Sequence, residues 1–108
     1  MKKIIIAIGA IVSFAACASA WGEQSEKELQ TLASKGDYQA RRNLAYSYAV
    51  GWKDIQKDPV KACAWYRVIL MSDSSKVDAG DVGNEWVYCR KLDLIDSGKA
   101  WALARNLK

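Results

Sequence analysis

An all-α chain of about five helices is what this sequence predicts, and three observations predict it. Apolar residues recur at spacings of three and four in five successive segments, and cap or break residues fall between those segments. No stretch alternates polar and apolar residues with the period of two that a half-buried strand requires. Short connections between the segments imply antiparallel neighbours.

The first segment, residues 23–34, carries Leu29, Leu32 and Ala33 on one helical face. Ser25 and Glu28 have the spacing of a capping box, and Gly36 suits the left-handed position that ends a helix. Asp37 is placed to cap the second helix, where Ala40, Leu44, Ala45 and Tyr48 repeat before Gly51 stops it. Its two alanines let another helix approach closely. Residues 52–57 make a corner. Asp58 and Pro59 then combine an N-cap with proline at the first helical position, where the missing N–H is not needed.

The third helix runs to about Met71 and presents Ala62, Trp65, Tyr66 and Ile69 on one face, and the serine-rich stretch 72–75 breaks it. A fourth pattern sets Ala79, Val82, Trp86 and Cys89 together, with Gly80 and Gly83 weakening its first turns. After a break at Asp96, Ser97 and Gly98, a last helix carries Trp101, Leu103, Ala104 and Leu107. On this reading Tyr48, Trp65, Tyr66, Trp86 and Trp101 belong to the core. Tyr46 and Trp52 fall outside it, as aromatic anchors for a protein interface.

Residues 1–20 have the anatomy of a secretory signal peptide: Lys2 and Lys3, an apolar run, then Ala18, Ser19 and Ala20 before Trp21. Cleavage there leaves 21–108 as a periplasmic or secreted chain. Phe14, Ala15, Ala16 and Cys17 also loosely resemble a lipobox, and processing at that site would anchor a lipoprotein to a membrane through Cys17. Loss of Lys2 and Lys3 turns 16 basic against 12 acidic residues into 14 against 12. That weak surplus and the exported setting argue against a nucleic-acid partner.

Cys63 and Cys89 remain after cleavage, an even pair in an oxidising compartment, which suggests a disulfide. Cys63 lies near the middle of the third helix and Cys89 late in the fourth, so the two stand at similar heights across an antiparallel pair. Closing that loop is worth roughly 3 kcal/mol in the chain-entropy treatment.

The chain has no histidine, which removes the commonest general base and metal ligand. Gly80, Asp81, Val82 and Gly83 could be taken for a phosphate loop, but no strand precedes them and no lysine supports them. Asp73, Asp78, Asp81, Glu85, Asp93 and Asp96 are read as solvated helix faces and caps, since no calcium-loop spacing joins them. No catalytic residue, metal or cofactor is therefore assigned. Charge is uneven along the chain: residues 35–67 hold seven basic against three acidic residues, while 72–96 hold six acidic against three basic. Such polarity steers association with a charged partner.

Ala40, Asn43, Leu44, Ala45, Tyr48 and Gly51, followed by Ile55, Asp58, Lys61, Ala62, Trp65 and Tyr66, resemble one Sel1-like repeat, a helix-turn-helix unit related to tetratricopeptide repeats. The complete repeat would span 37–72, with half a repeat before it and C-terminal capping helices over 77–108. Ala45 departs from the glycine usual in that family, and Val68 and Ile69 from its alanines. The resemblance implies a short right-handed α-solenoid of antiparallel helical hairpins whose free surface binds another protein. It also implies a role such as immunity partner of an antibacterial toxin or, alternatively, an envelope scaffold or regulatory adaptor. The side chains that packing leaves over, Arg41, Arg42, Tyr46, Trp52 and Lys53, are the expected partner-binding residues.

Overall fold

The structure, a computed structural model, describes residues 24–107, all of whose regular elements are helical. They are α1 (Glu26–Ser34), α2 (Tyr38–Val50), α3 (Pro59–Met71), α4 (Ala79–Cys89) and α5 (Leu94–Leu107). The signal segment 1–20, its cleavage site before Trp21 and the lipobox cysteine Cys17 lie outside the described residues.

The start of α1 and the first two corners are built from the residues that announced them. Ser25 Oγ accepts the Glu28 N–H at 3.2 Å and starts α1. At its end, the Gly36 N–H donates to the Ala33 carbonyl and the Asp37 N–H to Leu32, while Gly36 adopts φ 96°, a conformation that a Cβ opposes. Asp37 then accepts the Ala40 N–H at 2.8 Å and opens α2, so two helix ends are satisfied within three residues. Gly51 closes α2 with φ 75°, and a Cβ there would meet the Lys57 side chain at 3.3 Å. The Asp58 N–H donates back to the Tyr48 carbonyl at 2.8 Å, and Ile55 turns inward to fill the corner. Asp58 caps α3 with Pro59 in its first turn.

α3 is the axis of the molecule, since α2, α4 and α5 all pack against it and α1 packs on α2. Every residue from Ala62 to Ile69 is buried, a run that only a helix enclosed on all sides can sustain. The small side chains Ala62, Cys63 and Ala64 bring the neighbours close, and Ala100 and Ala104 of α5 do the same from the other side. Leu29, Ala33, Ala40, Leu44, Ala45 and Tyr48 complete the core between α1, α2 and α3. Burying a leucine such as Leu44 contributes about 1.5–3 kcal/mol.

Cys63 and Cys89 meet as expected, with Sγ atoms 2.08 Å and Cα atoms 4.9 Å apart, fastening α4 to α3. Of the face assigned to α4, only Cys89 is buried. Ala79, Val82 and Trp86 point to solvent, and the buried residues of α4 are Asp81 and Cys89. Hydrophobic spacing names one stripe, but α4 is set by attachments at Asp81, Tyr88 and Cys89, of which only Cys89 belongs to that stripe, and the other apolar side chains of the stripe turn outward. Trp101 is likewise exposed on one side. The break at Asp96, Ser97 and Gly98 is also absent: α5 begins at Leu94, with Asp93 accepting the Asp96 N–H at 2.8 Å. A cap at Asp93 outweighs the weak helix propensity of Gly98. Residues 80–83, the stretch weighed as a phosphate loop, are helical.

Candidate functional site

Residues four apart on a helix share a face, and α2 places Tyr38, Arg42 and Tyr46 in such a row. Across from this row stand Asp81 and Tyr88 of α4, with Tyr66 of α3 between. Tyr66 and Tyr88 stack with ring centroids 5.1 Å apart and planes within 8° of parallel. Tyr46 is exposed and Tyr38, Arg42 and Tyr88 are half-buried, while Tyr66, at 3% exposure, lies beneath them, so this α2–α4 groove offers Tyr46 and the edges of the other three and is supported from below by Tyr66.

Asp81 holds one end of the groove together. Its side chain is fully buried; Oδ2 accepts the Tyr38 hydroxyl at 2.6 Å and the Asp78 N–H at 3.0 Å. Asp78 in return accepts the Asp81 N–H at 3.2 Å, which makes a capping box at the start of α4. Oδ1 faces the Arg42 Nε at 3.5 Å, an ion pair rather than a hydrogen bond, and Arg42 lies 5.7 Å from the Tyr38 ring centroid. Arg42 is thus fixed by a carboxylate and a ring while part of its guanidinium reaches solvent. The basic and acidic spans of the sequence meet at this pair.

The phenols are tuned by the same packing. Burial, and then the Asp81 acceptor, raise the Tyr38 pKa, and the nearby Arg42 charge opposes that rise. Burial, followed by Tyr88, pushes Tyr66 up further. Both hydroxyls stay protonated donors throughout the physiological range. Tyr88 also lines a cavity of about 450 Å³ with Ala49, Val60, Ala62 and Leu92, where Lys57 and Lys91 are balanced by Asp93 and Asp96.

Of the five expected partner-binding residues, Arg42 and Tyr46 face this groove. Tyr46 is exposed. Arg41 is not available: it is buried, and its Nε donates to the Ala33 carbonyl at 2.9 Å, tying the end of α1 to α2. Burial lowers its pKa. A cation at a helix C-terminus is favourable, and the structure spends Arg41 there. Trp52 and Lys53 lie past Gly51, beyond the helical row, both exposed, with Lys53 at φ 53°. Tyr38, Tyr66, Tyr88 and Asp81 join the site without having been singled out for it. The four-residue spacing of Tyr38, Arg42 and Tyr46 was the signal that could have found the first of them.

Among the described residues no group of three or more His, Cys, Asp or Glu side chains could hold a metal ion, and no helix is long and apolar enough to cross a membrane. Comparison with protein-family models, curated proteins and solved structures finds no match to this chain.

Proposed function

We propose that this chain is an exported, non-catalytic module that binds another protein through the groove between α2 and α4, and that its specific role is immunity to an antibacterial toxin. The observation that carries the reading is the row Tyr38, Arg42 and Tyr46 beside the Tyr66–Tyr88 stack, with Tyr38 and Arg42 fixed by Asp81. Tyrosine and arginine dominate interface energetics because they offer large contact area at small entropic cost. Here Tyr38 and Arg42 are held by Asp81, and Tyr88 by its stack on Tyr66, before a partner arrives, while Tyr46 stands exposed beside them. The apolar N-terminal segment and the pair Cys63–Cys89 suit an oxidising compartment outside the cytoplasm. The Sel1-like pattern across Ala40–Tyr66 adds the fold-level expectation of a short α-solenoid that recognises proteins. Occlusion would be the mechanism: a rigid surface covers the toxin's active site.

Affinity capture from envelope extracts tests this with the wild-type chain, Tyr46→Ala and Arg42→Gln. A stoichiometric partner should be retained by the wild type and weakened roughly thirtyfold by Tyr46→Ala. Cells lacking the gene should become sensitive to that partner when it is delivered from a neighbouring strain. Capture unaffected by either substitution, in variants whose circular dichroism matches wild type, would reject the groove. A captured resident protein that is harmless to the deletion strain would replace immunity by an envelope adaptor.

A further inference from the structure

α4 and α5 both pack on α3 but not closely on each other, and an open cleft of about 410 Å³ lies between them. Trp86 stands on the α4 side and Leu94 on the α5 side, with Cys89 and Arg67 beneath them. Leu94 is 89% exposed, Ile95 71%, Trp86 59% and Val82 56%. Isolated apolar residues on a surface need no explanation, but a group this exposed marks a contact surface.

Arg67 shows what the surface lacks. It is only 6% exposed, and its Nη1 donates to the Ser97 carbonyl at 2.8 Å and Nη2 to the Ser97 hydroxyl at 3.0 Å. Its guanidinium lies 4.1 Å from the Trp101 ring centroid. The Nε is buried with no acceptor. No carboxylate stands within ion-pair distance: Glu85 lines the cleft and is felt only through space, and Asp93 is turned to capping α5. Burial accordingly lowers the Arg67 pKa. A second cation at the cleft, Arg90, lies over the Trp86 ring at 4.1 Å and likewise has no ion pair. A desolvated guanidinium whose only partners are neutral leaves both a hydrogen bond and a charge uncompensated.

We infer that the cleft between α4 and α5 is a second docking surface, whose occupant is an amphipathic helix of a partner protein that lays apolar side chains against Trp86 and Leu94 and brings one carboxylate to Arg67. The charge supplies the choice of occupant, because a purely apolar segment would cover what remains exposed of Arg67 and leave its charge uncompensated. The shape supplies the rest: an open cleft flanked by two helices that pack little on each other takes a third helix in a groove. This surface uses none of Tyr38, Arg42, Tyr46, Tyr66 and Tyr88, and meets the α2–α4 side only at Leu92 and Asp93 between α4 and α5, so the chain can hold two partners or two parts of one.

The test uses the full oxidised chain and a helical peptide of about four turns, with leucines along one face and one glutamate among them, against the same peptide carrying glutamine. Tryptophan emission, compared between the wild-type chain and Trp86→Phe, isolates the contribution of Trp86 from those of the other four tryptophans. The glutamate peptide should bind saturably and shift the emission, and the glutamine peptide should bind roughly tenfold more weakly or worse, as expected for a hydrogen-bonded charge. Leu94→Glu, at a site where no packing is lost, should abolish binding, while Tyr46→Ala should not change it. Equal affinity for the two peptides, no saturable binding, or indifference to Leu94→Glu would overturn the inference. So would sedimentation showing that the chain dimerises and that Leu94→Glu makes it monomeric, since the occupant would then be a second copy.

Discussion

The disulfide joins two helices of opposite character. α3 is buried along eight consecutive residues, whereas α4 buries only Asp81 and Cys89. α3 is held by area: neighbours on every side remove its apolar surface from water. α4 is held by three attachments, the Tyr38–Asp81 hydrogen bond with its Arg42 ion pair, the Tyr66–Tyr88 stack and the disulfide. A helix held by area tolerates loss of no single large side chain without global cost. One held by points leaves its remaining faces for other use, and both surfaces proposed to bind partners include α4.

The contrast can be broken at either helix. The largest effect should come from α3: Trp65→Ala leaves a cavity at a 3% exposed site and should cost about 3–5 kcal/mol, read as a cooperative fall in thermal midpoint for all helices together. Replacing Cys63 and Cys89 by alanine should cost about 3 kcal/mol. Its signature should differ, with amide exchange rising first in α4 while α2 and α3 stay protected. Uniform exchange across the molecule would show that α4 is no more separable than the rest.

Asp81→Ala removes a cap and a charge-assisted hydrogen bond and should cost about 2–3 kcal/mol. Tyr38→Phe in the Asp81→Ala background should then add little, because the two groups act as one contact; additive costs in the double-mutant cycle would break that coupling.

The smallest effect lies in the area-held half. Tyr48 donates to Glu26 and accepts from Gln30, and burial, then the Glu26 bond, raises its pKa from 10.0 to about 12. Tyr48→Phe should cost about 1 kcal/mol at neutral pH. Its sign with pH is definite. Below pH 10 the phenol is neutral both folded and unfolded, and its stabilisation is complete. Between about 10 and 12 the unfolded phenol loses its proton while the folded one keeps it, so stability falls as pH rises. Urea titrations across that window should show a shallower decline for Tyr48→Phe than for wild type. Parallel declines would mean Tyr48 titrates normally.

The α1–α2 and α2–α3 corners were legible because they are made of local chemistry: Gly36, Asp37, Gly51, Asp58 and Pro59 act on backbone groups within a few residues. The groove was half legible. Arg42 and Tyr46 fall outside the apolar stripe of α2 and could be named, but Asp81 reaches Tyr38 over 43 residues of sequence, and no periodicity carries that pairing. Arg41 misled for the same reason, since only the placement of α1 against α2 gives it a carbonyl to hold.

By itself, then, the sequence determined the helices, their caps and the height at which Cys63 meets Cys89, because these depend on spacing and on bonds between near neighbours. Tertiary structure decided which face each helix buries. In α4 the apolar stripe was outvoted by a buried carboxylate, a disulfide and a ring stack, each specific in direction where hydrophobic burial is not. That rotation turned Trp86 from a core residue into part of a surface, and left Arg67 buried beneath it with one hydrogen bond still to make.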